Sequence, residues 1–316
     1  MRIAIIDGVN QDIGLKILFP EADYFIDHTE CDRTESFKKY NIQPIYDWST
    51  INDKNYDYLF IVVASYDGKE GTQFFKPEIY NIMQREKEII NNNYFKKVFV
   101  FDNYDYDYDP NEIWNNNKIT LFLKRNYNKN KNYKNNVVPF PFIMFGEVSL
   151  IEKCDNILLS EKKYFGPKYN RVFFSGNLLV HEDPQYGVFR NRQKIFQEIS
   201  HTICNPGFIP YNSFLEGIET SKYCLDLLGV GEPNKRTFEI ILSGSLMLQQ
   251  KNTLLWPFEE TFCEETQFEN SNEYFKILND LQKDDALYNR CLEQQYIIVK
   301  KYFNVKWIKE YLKKMM

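Results

Sequence analysis

Short, nearly unbroken apolar runs recur along the first hundred residues: RIAIIDG at the start, YDYLFIVVAS at 56–65 and KKVFVFDN at 96–103. Alternating runs would give each strand one wet face. These leave none, which fits strands of a parallel sheet covered by helices on both sides. Between the second and third runs lies PEIYNIMQREKEIINNN, where Ile79, Ile82, Met83, Ile89 and Ile90 return at roughly helical spacing. Strand, helix, strand is the unit of a doubly wound α/β domain.

The pattern lapses at KRNYNKNKNYKNN (124–136), a polar stretch expected to be a mobile loop, and at VVPFPFIMFG, whose prolines rule out a regular helix. It resumes with NRVFFSGN (170–177) as a strand, VFRNRQKIFQEI (188–199) as a helix and TICN as a short strand. YNSFLEGIETSKYC then leads into the strand CLDLLG, and SLMLQQ follows as another strand. The boundary between the two halves falls near 150–168, around EVSLIEKCDNILL and the Gly166-Pro167 break. In the tail, Leu292, Tyr296, Val299, Phe303 and Trp307 step by three and four, predicting a long amphipathic helix with a break at Asn304.

Length agrees with this division, since 316 residues suit two domains better than one core. The net charge of −5 argues against a dedicated nucleic-acid binder, so no nucleic-acid partner is expected. Six scattered cysteines without a C-x-x-C pair suggest reduced thiols rather than a disulfide framework. The N-terminal apolar run is too short for a signal peptide and no stretch is long enough for a membrane span, so a cytoplasmic protein is expected. His28, His181 and His201 are too separated to suggest a zinc site.

The most informative stretch is NKRTFEIILSGSLMLQ (234–249). Asn234 is a fitting N-cap and Gly244 a fitting helix exit. Arg236 and Glu239 then share one face of the first turn. A helix N-terminus carries free N–H groups and partial positive charge, and with Lys235 and Arg236 it would cradle a diphosphate. Glu239, a turn further in, would accept from a ribose diol. An i,i+3 ion pair on a surface helix is the plainer reading of the same spacing.

The run from about Tyr211 to Tyr311 resembles the C-terminal half of GT-B-fold glycosyltransferases of the "glycosyl transferases group 1" type and, more loosely, the exostosin-like type. The resemblance rests on Ser221-Lys222, CLDLLGVG, Arg236-Thr-Phe-Glu239, IILSG and SLMLQ, in that order and spacing, then a helix reading SNEYFKILNDLQKD and a closing helix. It covers about the last 145 residues; over the first half only the strand–helix pattern fits. It implies an α/β fold of two Rossmann-like doubly wound domains facing a cleft. The expected division is an acceptor-side domain over 1–165, a donor domain over 166–300, and a closing helix, 301–316, packed back on the first domain. The implied activity is metal-independent transfer of a sugar from a nucleotide-diphosphate sugar to a glycan, glycoprotein or glycolipid acceptor, with no other cofactor. In such enzymes the Arg and Glu contact the donor's diphosphate and ribose. The donor residues expected here are Gly176, Asn177, Arg192, Lys222, Gly229, Gly231, Lys235, Arg236, Thr237 and Glu239, with Arg236 also stabilising the leaving diphosphate.

Other features offer alternatives. Asp12, in the loop DGVNQDIG near the carboxyl end of the first sheet, is the candidate base; His28 is a weaker one. DYDYD (105–109) has the Asp-x-Asp form with which GT-A-type transferases hold a divalent cation, though the chain is rich in Asp and Tyr throughout. A non-catalytic nucleotide-sugar or glycan-binding module is the other rival. Lys124 and Arg125, after the strand-like ITLFL, are placed to line the cleft. Lys300, Lys301, Lys306, Lys309, Lys313 and Lys314 give the tail a basic face that would suit peripheral contact with an anionic membrane.

Overall fold

The computed structural model describes residues 1–8, 13–27, 34–63, 77–102, 109–140, 164–176, 187–204, 207, 209–228 and 234–316. The chain divides into two compact units. The first comprises Met1–Val148, Thr253–Pro257 and Lys309–Met316; the second comprises Ser149–Asn252 and Phe258–Ile308.

The first unit holds β1 (Ile3–Asp7), α1 (Gly14–Leu18), β2 (Asp23–Ile26), α2 (Thr34–Lys39), β3 (Pro44–Ile45), β4 (Tyr58–Val63), α3 (Pro77–Asn92), β5 (Lys97–Asp102), α4 (Pro110–Trp114), β6 (Leu121–Lys124) and β7 (Val137–Pro139). Its sheet is parallel throughout, in the order β3-β2-β1-β4-β5-β6-β7. Strand order reverses direction between β1 and β4, as in doubly wound nucleotide-binding folds. The unbroken apolar runs resolve into two interleaved sets, because successive side chains in a strand point to opposite faces. Ala4, Ile6, Leu59, Ile61, Val98 and Val100 share a core with Trp48, Ile82, Ile89, Ile90 and Trp114. Of the intervening residues, Phe60 stacks with Phe19 and Phe99, with ring centroids at 5.5 and 4.8 Å. Pairing in the middle of this sheet therefore buries both faces at once.

α3 lies so close over the end of β1 that Gly8 has room for no side chain. A Cβ there would sit 2.3 Å from Ile82 and 3.1 Å from Trp48.

The polar stretch after β6 is tied down rather than mobile. Tyr127 and Tyr133 pack with ring centroids 4.5 Å apart. The backbone of Lys129 donates to Thr253 O at 2.8 Å, and that of Leu255 to Tyr127 O at 2.9 Å. These bonds explain why the five residues 253–257 belong to the first unit.

The second unit holds β8 (Tyr169–Phe173), α5 (Gly187–Ile199), β9 (Ile203–Cys204), α6 (Tyr211–Thr220), β10 (Ser221–Asp226), α7 (Lys235–Ser243), β11 (Leu246–Gln250), β12 (Gln267–Phe268), α8 (Ser271–Lys283) and α9 (Asp285–Tyr302). The order β12-β11-β10-β8-β9, again parallel, puts its reversal between β8 and β10. A last helix, α10 (Val305–Met315), follows a break at Asn304, whose side chain accepts from the Trp307 N–H at 2.8 Å. Its residues from Lys309 onward belong to the first unit: Tyr311 donates to Pro139 O at 3.1 Å, and Lys97 to Met315 O at 2.6 Å.

One expectation about the cysteines fails. Cys263 and Cys291 are joined in a disulfide that closes a span of 28 residues. Cys204 and Cys224 are free, and burial pushes the Cys224 thiol up to about 12. A pairing between a loop and a distant helix leaves no spacing signal in the sequence. No described helix is long and apolar enough to cross a membrane.

Candidate functional site

In an open α/β sheet, ligands sit outside the carboxyl ends of the strands at the point where strand order reverses. In the second unit that point lies beyond β8 and β10, and it gathers four of the charged residues singled out from the sequence: Arg192, Lys235, Arg236 and Glu239.

α7 is built locally as its sequence predicts. The Asn234 side chain accepts from the Thr237 N–H at 3.2 Å, satisfying one of the free donors of the first turn. At the far end Gly244 adopts φ +75, and a Cβ would also meet Tyr164 O at 2.4 Å, so glycine is required twice over. Between these ends Phe238, Ile240, Ile241 and Leu242 are buried, which fixes the direction of the polar residues of the first turn.

Arg236 is aimed from three sides. Its Nε faces Asp226 Oδ1 at 3.4 Å, its Nη2 donates to Leu227 O at 3.0 Å, and its guanidinium lies over the Phe174 ring at 5.0 Å. Asp226 is 2% exposed and accepts in addition from Thr237 Oγ1 at 2.8 Å and Gln249 Nε2 at 3.3 Å. It is the positioning carboxylate for Arg236, and the sequence reading missed it. Its place as the last residue of a buried strand was the available signal.

Arg192, from α5, comes to the same ring, with its guanidinium 5.6 Å from the Phe174 centroid. Gly176 marks where the two arginines meet. A Cβ on it would lie 2.6 Å from Arg236 Nη1 and 2.9 Å from Arg192 Nη2. Two guanidinium groups are thus held within a few ångströms of one another beside a bare backbone. Asp226 offsets part of this charge, and an anion bound beside the two guanidinium groups would accept from both. Ser175, just before, is fixed through its hydroxyl to Gly207 O at 2.8 Å.

Glu239 is 2% exposed, accepts from Tyr211 OH at 2.6 Å and faces Lys235 Nζ at 3.6 Å. Lys235 also lies over the Tyr211 ring at 4.2 Å. The acid is therefore oriented by a phenol and an ammonium, and it is more than a loose surface ion pair.

The structure does not bring Lys222 to this group. It sits near the amino end of β10, 3.3 Å from Asp285 and over the Tyr288 ring at 4.2 Å, whereas Asp226 ends the same strand at the other side of the sheet. Asn177, Gly229 and Gly231 lie outside the described residues, as do Asp12, His28, His181 and the first four residues of DYDYD. The last of that run, Asp109, caps α4 and accepts from Asn111 N at 2.9 Å, Asn111 Nδ2 at 2.8 Å and Lys134 N at 3.3 Å. Burial works to raise this carboxyl, but those hydrogen bonds outweigh it and hold it below the usual range. Among the described residues, one group could hold a cation by ligand type: Cys263, Glu265 and Cys291, two of which are the disulfide.

The first unit has its own buried charges at the carboxyl ends of its strands. Lys124 and Asp102, both without exposure, form an ion pair at 3.0 Å, and Arg125 beside them is also buried. Asp7 ends β1 and accepts from Tyr24 OH at 2.8 Å. Glu86 of α3 is 3% exposed and lies 3.2 Å from where a Gly8 Cβ would be. Its carboxyl is pushed well up, first by burial and then by the negative charges of Asp7 and Asp27. The sequence reading passed over Glu86, which sits unremarked among the polar residues of a helix.

No protein-family model and no curated protein sequence matches the chain. Solved structures do match it over nearly its whole length. An alpha-glucosyltransferase in complex with UDP-glucose and DNA containing an abasic site aligns with a TM-score of 0.55 at 12% identity, covering 100% of this chain and 99% of that one. Anabaena Alr3699/HepE in complex with UDP aligns at 0.56 and 11%, covering 99% of each chain. T4 phage BGT in complex with UDP and Mn²⁺ aligns at 0.50 and 17%, covering 100% of this chain and 99% of that one. At such identities the likeness is one of fold: two Rossmann-like α/β domains, the GT-B architecture.

Proposed function

We propose that this chain is a glycosyltransferase that takes a sugar from a nucleoside-diphosphate sugar, UDP-glucose being the first donor to test, and passes it to a hydroxyl acceptor. The observation that carries the reading is the convergence of Arg192 and Arg236 on the bare backbone of Gly176. A diphosphate offers several charged acceptor oxygens to which both guanidinium groups can donate at once. The N-terminus of α7 adds partial positive charge to the same place. Glu239, held by Tyr211, is the acceptor for the ribose hydroxyls. The similar proteins solved with UDP or UDP-glucose favour a uridine donor.

In the reaction the sugar–phosphate bond breaks as the acceptor oxygen bonds to the anomeric carbon. Negative charge then grows on the departing diphosphate. Arg236 and Arg192 stabilise that charge without rearranging, because Asp226, Leu227 O and Phe174 already fix Arg236. We assign no metal to this step, since two guanidinium groups and a helix end supply the positive charge that a cation would bring. A carboxylate deprotonates the acceptor, and Asp12 remains our candidate. The acceptor classes are sugar chains and nucleic acid. Net charge argued against the second, but it is a sum over the whole chain and does not describe a local surface. One protein of this fold was solved with DNA.

Thermal shift with UDP, GDP, ADP and their sugars, with and without EDTA, tests the reading. A ligand at a hundredfold excess over its Kd adds about 2.7 kcal/mol. The expected result is a shift with one diphosphate that survives EDTA and disappears in Arg236→Ala. A shift that requires metal moves the site to the acidic segment 105–109. No shift with any diphosphate overturns the proposal.

A further inference from the structure

The outer flank of α6 borders a cavity of about 540 Å³ that is separate from the arginine pair. It is lined by Tyr169 and Arg171 of β8, by Ile209 and Pro210, and by Ser213, Glu216, Gly217 and Thr220. The last four recur at i, i+3, i+4 and i+7, which is one face of the helix. Tyr211, which serves Glu239, is not among these wall residues. The β8 residues are the first and the middle one of its five, whereas Gly176 lies beyond its carboxyl end.

Three features mark this cavity as built for a ligand. Arg171 is immobilised by neutral groups alone: Nε donates to Ser221 Oγ at 2.9 Å, Nη2 to Thr220 Oγ1 at 2.8 Å, and Nη1 faces Cys204 Sγ at 3.7 Å. Among the described residues no carboxylate pairs with it. Glu216 lines the same space, and its carboxylate makes no hydrogen bond or ion pair among the described residues. Tyr169 leaves 67% of its surface exposed while Arg171 backs its ring at 5.1 Å, so a flat apolar face is presented in a fixed orientation.

These groups define the occupant's chemistry. Arg171 donates, Glu216 accepts, and the Ser213 hydroxyl does either. One positive and one negative charge leave the lining neutral, which favours neither a phosphate nor an ammonium ligand. An aromatic face and an Ile209/Pro210 wall beside such a polar fork suit a molecule with an apolar ring face and a rim of hydroxyl groups. The volume lies within the ordinary range for small-ligand sites. We propose that this cavity is a binding site for a neutral saccharide, distinct from the nucleotide-sugar cradle. The site stands on its own residues and does not depend on the transferase reading.

The test is a glycan array carrying neutral, acidic and amino oligosaccharides, probed with the labelled full chain and with Tyr169→Ala, Glu216→Ala and Arg236→Ala variants. The expected result is binding to a neutral class that falls at least tenfold in Tyr169→Ala and in Glu216→Ala. Arg236→Ala is expected to bind the array like the parent while losing its UDP thermal shift, so failure of one site is separable from failure of the other. Tyr169 and Glu216 are both exposed, and an unchanged melting temperature confirms that their variants are folded. No neutral glycan bound above the Tyr169→Ala background, binding confined to acidic glycans, or a signal retained by both cavity variants overturns the proposal.

Discussion

Replacing Gly176 with alanine probes the arginine pair with a single methyl group. The Cβ would lie 2.6 Å from Arg236 Nη1, 2.9 Å from Arg192 Nη2 and 3.2 Å from the Phe174 ring. The first two contacts are too close for any real side chain, yet both partners are the tips of long side chains that can swing away. The fold should therefore survive, with a melting temperature within a few degrees of the parent. Ligand binding should not. Moving either guanidinium away removes a charge-assisted hydrogen bond worth about 1.5–3 kcal/mol. At about 1.4 kcal/mol per factor of ten, UDP should bind roughly ten- to a hundredfold more weakly. Isothermal titration with UDP reads this directly, and Gly217→Ala serves as the contrast. There the Cβ would fall 2.2 Å from a ring carbon of Phe173, a buried side chain, so stability should fall. If Gly176→Ala binds UDP within twofold of the parent, the diphosphate does not lie between these arginines and the site assignment is wrong.

Three further outcomes follow from buried groups elsewhere. Glu86 has a raised folded-state pKa, so the unfolded chain loses this proton first; stability attributable to it is complete below about pH 4.3 and declines as pH rises toward the folded value. Glu86→Gln should accordingly be more stable than the parent at pH 7 and less different at pH 4, by denaturant melts; equal effects at both would refute a protonated Glu86. Lys124→Met removes the buried ion-pair partner of Asp102 and should cost about 3–5 kcal/mol, much of it regained in Lys124→Met/Asp102→Leu, again read by denaturant melts. Reduction of Cys263–Cys291, or Cys263→Ser, frees a loop of 28 residues and should cost about 3–4 kcal/mol by the chain-entropy estimate; an unchanged melting temperature under reducing agent would show that the link does not contribute.

Much of the fold was legible because its signals are local. Unbroken apolar runs identified β1, β4 and β5, and helical spacing identified α3. Asn234 and Gly244 bracketed α7 through cap chemistry confined to a few residues. The strands that escaped notice, β2, β3, β7 and β12, have two to four residues each, too few for periodicity to register. Arg236 and Glu239 stood out because a helix N-terminus gives their position meaning.

Their partners belong to the tertiary structure. Asp226, Gln249 and Arg192 reach Arg236 or its neighbours only because parallel strands and their crossover helices align residues far apart in sequence. Lys222 shows the same dependence in reverse: it is as close to Arg236 in sequence as many true neighbours, but a strand carries it to the opposite end of the sheet. The environment of Glu86 and the Cys263–Cys291 link were likewise set by long-range packing. Sequence alone determined the longer strands and helices, and which side chains stand at their ends, because backbone propensity and capping act over a few residues. Which of those ends meet was decided by the order in which the strands pair, and that order depends on burying both faces of each sheet at once.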